Sequence, residues 1–227
     1  MKKIGLVIAI EREMKSFLEY GADVEEIVIS NKKIYKTVIA GKEIYAAQSG
    51  YGLIDASAMT QLLISYFGCE IIMNFGVTGA LIPGLKVEDL FLVHKTRSYT
   101  YDVSGIDPVK PNQYDEFPDE FIPLDEEFYQ QLKAKFPALK EAVVASGDRF
   151  IEERKDKENL ASLGCNICDM EIVGIARTSF LSGARCISIK CISDTFEGGA
   201  GDFNTNVISS AKKAFDVLLD VLETLEM

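Results

Sequence analysis

The chain has 227 residues, a length that suits one sizeable α/β domain, and its 48% hydrophobic content excludes a disordered chain unable to offset its backbone entropy. A formal net charge of -11 disfavours nucleic acid and anionic membranes as partners. No apolar run approaches the roughly 20 residues of a membrane span. The basic start Met1-Lys2-Lys3 leads through an apolar run into Glu11-Arg12-Glu13, where a secretory leader would carry small residues, so the expected location is the cytoplasm.

Short apolar runs alternate with helical patterns along the whole chain, as in βαβ units. Residues 3–10 read as a strand and 11–20 as a helix. Strands follow at 24–30, 33–40 and 42–49, joined by turns at Asn31-Lys32 and Gly41. Gly50-Tyr51-Gly52 breaks the pattern before an amphipathic helix over 54–67. Residues 70–74 form a strand that ends in the glycine-punctuated segment 74–80, read as a loop. A strand at 89–94 precedes residues 97–124, which hold four of the six prolines and read as a long loop with a short strand near 99–103. Long loops in compact domains tend to serve function or an interface. A helix over 124–136, a strand at 142–146, helices at 154–163 and 171–182, and a strand at 186–192 complete the alternation. The last helix, 204–225, carries Val207, Ile208, Ala211, Phe215, Leu218, Leu219 and Leu222 on one stripe. The expected fold is a single domain over 1–227, a three-layer α/β/α sandwich around a mixed, largely parallel twisted sheet. Sites in such sheets form beyond the carboxyl ends of strands, here residues 11–13, 50–52, 75–80, 147–151 and 193–201.

His94 is the only histidine, so any histidine-based nucleophilic mechanism must use it, and multi-histidine metal sites are excluded. Its place inside an apolar strand reads as structural. The five cysteines, Cys69, Cys165, Cys168, Cys186 and Cys191, are an odd set with no disulfide framework. Cys165-x-x-Cys168 with the later pair loosely mimics a zinc site. Cys186 and Cys191 sit five apart on one strand, however, and should face opposite sides. Buried free thiols are the better reading, and no metal or cofactor is expected. Gly50-x-Gly52 lacks the third glycine of a dinucleotide fingerprint, since position 55 is Asp, and no phosphate-binding Gly-x-x-x-x-Gly-Lys is present. What remains is carboxylates at strand ends: Glu11, Glu13, Asp148, Asp169, Glu171 and Asp194. Asp169 and Glu171 read as the start of a helix, and Asp148 as a cap. Separate carboxylates divide acid and base roles when their surroundings push their pKa values apart.

The constellation resembles a known family. Gly5-Leu-Val-Ile-Ala-Ile-Glu-Arg-Glu13 looks like the opening of the nucleoside phosphorylase/nucleosidase superfamily, and Asn74-Phe-Gly-Val-Thr-Gly-Ala-Leu81 resembles its central glycine loop. Ser146-Gly-Asp-Arg-Phe-Ile151, Asp169-Met-Glu171 and Ile192-Ser-Asp194 follow in the family's order and spacing. Together they are similar to methylthioadenosine/S-adenosylhomocysteine nucleosidases, over essentially the whole chain. The resemblance implies a phosphorylase/hydrolase-like fold and hydrolysis of the N-glycosidic bond of 5′-methylthioadenosine or S-adenosylhomocysteine, giving adenine and a 5-thio-ribose. It implies Asp194 as general acid to purine N7 and Glu13 as the carboxylate that activates water. Glu171 would bind the ribose hydroxyls, Phe150 would stack on the purine, and Ile151 would offer main-chain groups to the base edge. Met170 would pack on the ribose, Gly79 would allow close approach, and Phe203 would wall the 5′ pocket. Ser193 belongs to the same set. Family members are homodimers, which implies a neighbour completing the site and contributed to by residues 97–120.

Two positions depart from the family's pattern. Lys190 stands where an arginine is usual, and Val77 where a serine is usual, both groups that help hold the nucleophilic water. Lys lacks the planar fork of Arg, and Val cannot hydrogen-bond, with adjacent Thr78 as a possible substitute. Arg149 also replaces a small residue beside the base. Three other readings compete. A purine nucleoside phosphorylase would need converging donors for phosphate, yet Asn74 stands where such enzymes carry arginine and Ile10-Glu11-Arg12-Glu13 replaces their phosphate loop. A nucleosidase for another purine nucleoside, of the futalosine type, would share the chemistry. A nucleoside-binding module with little catalysis would not need Glu13.

Overall fold

The computed structural model describes residues 2–20 and 23–225. β1 (Lys3–Ile8) opens the sheet and α1 (Glu11–Glu19) follows directly. A meander of β2 (Glu25–Ile29), β3 (Lys32–Ile39) and β4 (Lys42–Gln48) precedes α2 (Leu53–Ser65). β5 (Ile71–Ala80), β6 (Leu90–Ser98) and the two-residue β7 (Ile122–Pro123) lead to α3 (Glu126–Lys135). β8 (Lys140–Ser146), α4 (Arg154–Ser162), β9 (Ile167–Asp169), α5 (Ile172–Ser182), β10 (Arg185–Asp194) and α6 (Ala200–Thr224) complete the chain.

All ten strands join one sheet. The order runs β10-β6-β8-β9-β5-β1-β4-β3-β2, and β10 also pairs with β5, so that end of the sheet closes on itself. Closure pairs the strand β10 that would otherwise be an exposed edge. The central strands β4, β1, β5 and β10 run parallel, as do β6, β8 and β9. The β2–β3–β4 meander and the β10–β6, β5–β9 and β6–β7 contacts are antiparallel. The sheet is mixed, as expected.

Period-two alternation divides the core into two layers. Ile4, Leu6 and Ile8 of β1, Ile71, Met73 and Phe75 of β5 and Ile187 and Ile189 of β10 pack with α1, α3 and α6. Val7, Ile72 and Ile192 point the other way, onto α2 and α5. Cys191 lies in the first layer and Cys186 in the second, so these two thiols face opposite sides of the sheet as their spacing requires. All five cysteines are free and buried. Among the described residues no three His, Cys, Asp or Glu side chains are placed to hold a metal ion. Nor is any helix there long and apolar enough to cross a membrane.

Several elements differ from the sequence reading. The segment 74–80 is strand rather than loop, because β10 pairs with it from Lys190 opposite Gly76 to Asp194 opposite Gly79. Residues 99–103 form no strand. Tyr99 there turns inward, its hydroxyl donating to the carbonyls of Gly147 (2.9 Å) and Arg149 (2.8 Å). Pairing with β6 is taken up instead by Ile122–Pro123. Three-residue β9, too short to show a period, has no counterpart in the reading. Asp169 closes that strand, and Glu171 sits at the N-cap of α5. Ile208, assigned to the buried stripe of the last helix, is 52% exposed.

Candidate active site

Beyond the carboxyl ends of β1, β5, β9 and β10 lies a cavity of about 370 Å³, within the range of small-molecule sites. Four buried carboxyl side chains line it: Glu13, Asp169, Glu171 and Asp194. Val77, Gly79, Phe150, Met170, Ser193 and Phe203 line it too.

Glu13 is held in the first turn of α1. Its Oε1 accepts from the Val77 N–H at 2.8 Å and its Oε2 from the Ile10 N–H at 3.2 Å. Burial raises its pKa above the ordinary value, opposed by the charge of Lys190 and by these main-chain donors. Gly76 is needed for this arrangement, since a Cβ there would come 2.5 Å from Oε1 of Glu13. Gly79 plays the same part for Asp194, whose Oδ2 would lie 2.7 Å from an added Cβ. These glycines are therefore strand residues flanked by carboxylates.

Asp194 ends β10 and is almost fully buried. Its Oδ1 accepts from the Ser193 hydroxyl at 2.8 Å. Burial pushes its pKa up to about 6, against the lowering effects of Ser193 and Lys157, while Asp202 and Glu152 add to the rise. Glu171 accepts from the Gly52 N–H (3.1 Å) and the Met170 N–H (3.2 Å). Burial and the negative charge of Asp169 push it to about 8 despite Lys190.

Lys190 does not line the cavity. It lies beneath the floor, its Nζ 2.8 Å from Oδ2 of Asp169, with both side chains 2% exposed. Burial works against the ammonium, yet Asp169, Glu171 and Glu13 together hold its pKa above the ordinary lysine value. Asp169 also accepts from the N–H groups of Glu171 and Ile172, both at 3.3 Å, and so caps α5. The side chain of Ile151 is likewise outside the cavity, buried against Leu81, Leu160, Cys165 and Cys168.

Two other expectations, at Thr78 and Arg149, are corrected, while Asp148 and His94 keep the structural parts expected of them. Thr78 does not stand in for a serine at 77, because its hydroxyl donates to the Cys168 carbonyl at 2.7 Å. Arg149 turns away from the cavity to Asp156 at 2.8 Å. Asp148 caps α2 from a distance, accepting from the Leu53 N–H at 2.6 Å. His94 stacks on Tyr129 and contacts Glu126 at 2.9 Å, on α3 and far from the cavity lining. Tyr51 and Ala200 come from the expected segments 50–52 and 193–201, whereas sequence reasoning missed Ala9, Ile10, Cys168 and Asn204, which complete the walls. Their only signal was position beside strand ends.

Three carboxyl groups with pKa values pushed upward, Glu13, Glu171 and Asp194, facing apolar walls with aromatic rings, suit acid-assisted cleavage of a glycosidic bond. Phe150 and Phe203 meet edge to face at 5.7 Å, a ready surface for a flat base. The class is thus a glycoside-cleaving α/β enzyme for a ligand with an aromatic base.

The chain belongs to the phosphorylase superfamily, whose profile matches residues 3–223. It is 31% identical over 214 residues to an aminodeoxyfutalosine nucleosidase of Helicobacter pylori strain J99, covering 88% of this chain and 89% of the relative. A 5′-methylthioadenosine/S-adenosylhomocysteine nucleosidase of Staphylococcus carnosus is 28% identical over 231 residues, covering 98% and 100%. The fold matches a crystal structure of the Helicobacter pylori 5′-methylthioadenosine/S-adenosylhomocysteine nucleosidase with TM-score 0.92 and 29% identity, over 99% of each chain. The activity is that of a purine nucleosidase, hydrolysis of a nucleoside's N-glycosidic bond.

Proposed function

We propose that this enzyme hydrolyses 5′-methylthioadenosine, S-adenosylhomocysteine or both, releasing adenine and the 5-thio-ribose. The observation that carries the reading is a buried Asp194 with a pKa near 6, across one cavity from a Glu13 whose two oxygens are fixed by main-chain donors.

A departing purine is a poor anion and needs a proton at N7. An ordinary Asp, with a pKa of about 3.9, would have none to give at neutral pH. Burial leaves Asp194 a usable protonated fraction there, and its loss as pH rises above 6 sets an alkaline limb on turnover. Ser193 fixes the carboxyl's rotation through the 2.8 Å hydrogen bond. Bond breaking leaves positive charge on the ribosyl ring. Glu171 accepts from the ribose hydroxyls there. With a pKa near 8 it is largely protonated in the free site, and both the hydroxyl hydrogen bonds and the ring's positive charge favour its anion. Its attraction is therefore stronger in the transition state than in the ground state. Glu13 takes a proton from the attacking water. Val77 offers that water only its N–H, already given to Glu13, so Lys190 acts by holding the negative charge of Asp169 and Glu13 in place.

Phe150 stacks on the base and Met170 packs on the ribose. Phe203 walls the 5′ pocket, Gly79 leaves room for Asp194, and Ile151 acts through its main chain. A homodimer completes the site. Tyr51 lines the cavity yet is 58% exposed, beside Ile54 at 80%, an apolar rim that a neighbouring subunit's segment 97–120 would cover.

An aminodeoxyfutalosine-type substrate is a second reading, favoured by the relative at 31% identity. Free-base release from methylthioadenosine, S-adenosylhomocysteine, aminodeoxyfutalosine, adenosine and inosine, each with and without phosphate, separates the readings. Phosphate-independent adenine release, fastest from the thio-substrates, is expected. Release only with phosphate would make the enzyme a phosphorylase.

A further inference from the structure

Lys157, on α4, is fully buried, and among the described residues it has no carboxylate within 4 Å. Its ammonium instead donates to three main-chain carbonyls, Thr195 (2.9 Å), Phe196 (3.2 Å) and Gly198 (2.6 Å). These belong to the turn that joins Asp194 to α6. Carbonyls converging on one buried point would be left unsatisfied by any apolar residue. A buried ammonium is likewise costly unless hydrogen bonds compensate it. Each side therefore requires the other.

The turn carries the site's geometry. Asp194 precedes it, and Ala200 and Phe203, just after it, line the cavity. Further ties converge on the same frame. Thr195 Oγ1 donates to Asp202 at 3.2 Å, Asn206 Nδ2 donates to the Ser193 carbonyl at 3.0 Å, and Glu152 accepts the Ala200 N–H at 3.0 Å. We infer that Lys157 is a positioning residue whose ammonium holds the 195–199 turn folded behind Asp194, presenting the general acid and the Phe203 wall together.

The inference rests on the reading of Asp194 as the acid, and the test keeps the two apart. Lys157→Met fills similar volume but removes the charge and all three donors. The Michaelis constant for methylthioadenosine is expected to rise about tenfold or more, and kcat to fall. Asp194 is faced by Lys157 from α4, Glu152 just before α4, Asp202 from α6 and the Cys168 thiol from β9. Lys157 is the one cation among them, so its loss moves the alkaline limb of kcat to higher pH. A merely structural lysine would leave that limb in place. Lys155→Met, an exposed lysine of the same helix that makes no ion pair among the described residues, should leave activity unchanged. Should Lys157→Met fail to fold, Thr195→Val loosens the same turn without stranding its carbonyls, and a severalfold rise in the Michaelis constant is expected. Unchanged constants and an unmoved limb in folded Lys157→Met, or in Thr195→Val, would overturn the inference. Adenine affinity is read alongside. A wild type that releases no adenine sinks the functional reading, and the role of Lys157 then stands only if Lys157→Met weakens adenine binding.

Discussion

The two ends of the cavity treat their carboxyl groups differently. At one end Asp194 accepts from the Ser193 hydroxyl and, among the described residues, makes no ion pair. At the other, Glu13, Asp169 and Glu171 gather around one buried ammonium, Lys190, with four N–H groups of Ile10, Gly52, Val77 and Met170 aimed at the two glutamates. Both ends are buried, so burial alone assigns no roles. The difference lies in what compensates the charge. An acid needs a site that tolerates its neutral form, and Asp194 has one. In the proposed reading a water-activating carboxylate needs fixed donors and a countercharge nearby, which the Lys190 end supplies to Glu13, whereas Glu171, held near 8 by burial and Asp169, becomes the anion only when the ribosyl cation forms.

This contrast breaks most visibly at Asp194. Asp194→Asn removes the transferable proton, and adenine release should fall by on the order of 10² to 10⁴, the usual range for a general acid, while adenine still binds. Wild-type rates would remove Asp194 from the acid role. Glu13→Gln should fall comparably at the other end and trap intact nucleoside, which rapid-quench analysis of bound material would detect.

Lys190→Met strands Asp169 without its partner. Loss of one partner of a buried pair costs about 3–5 kcal/mol, read as a lower Tm together with lost turnover. Lys190→Arg should keep or raise activity. A drop in that variant would mean that the buried pocket around Asp169 fits lysine specifically.

The pH dependence of stability is subtler. Asp194 and Glu171 have folded pKa values raised to about 6 and about 8. Each binds its proton more tightly folded than unfolded, so the stability it contributes is full below the ordinary carboxyl range and is lost as pH rises through the folded value. The Tm of the wild type should therefore fall between about pH 5 and pH 9, and Glu171→Gln should flatten the upper part of that fall. A flat wild-type profile would contradict the raised values. Smallest of all, Val77→Ser should change hydrolysis severalfold at most, because the main chain at 77 already serves Glu13.

Much of this was legible in the sequence. The alternation of apolar runs located nearly every strand and helix; position narrowed the carboxylates to six, and only the family resemblance singled out Glu13, Glu171 and Asp194 among them. Three features resisted reading, each for a physical reason. Glycines in 74–80 read as loop punctuation, whereas two carboxylates contributed by distant segments exclude a Cβ there. β9 is too short to carry a period. Lys157 drew no separate reading within the helix over 154–163, because the carbonyls that make it necessary lie some forty positions away. Lys190 was expected beside the nucleophilic water and lies behind the cavity wall, since strand alternation turns its side chain toward Asp169.

Water as the nucleophile is the central claim. Turnover of methylthioadenosine in phosphate-free buffer made with ¹⁸O-water tests it directly. One labelled oxygen should enter the sugar for each adenine released, with no dependence on added phosphate. A sugar released without label, or adenine formed only when phosphate is supplied and recovered as a sugar phosphate, would contradict the account.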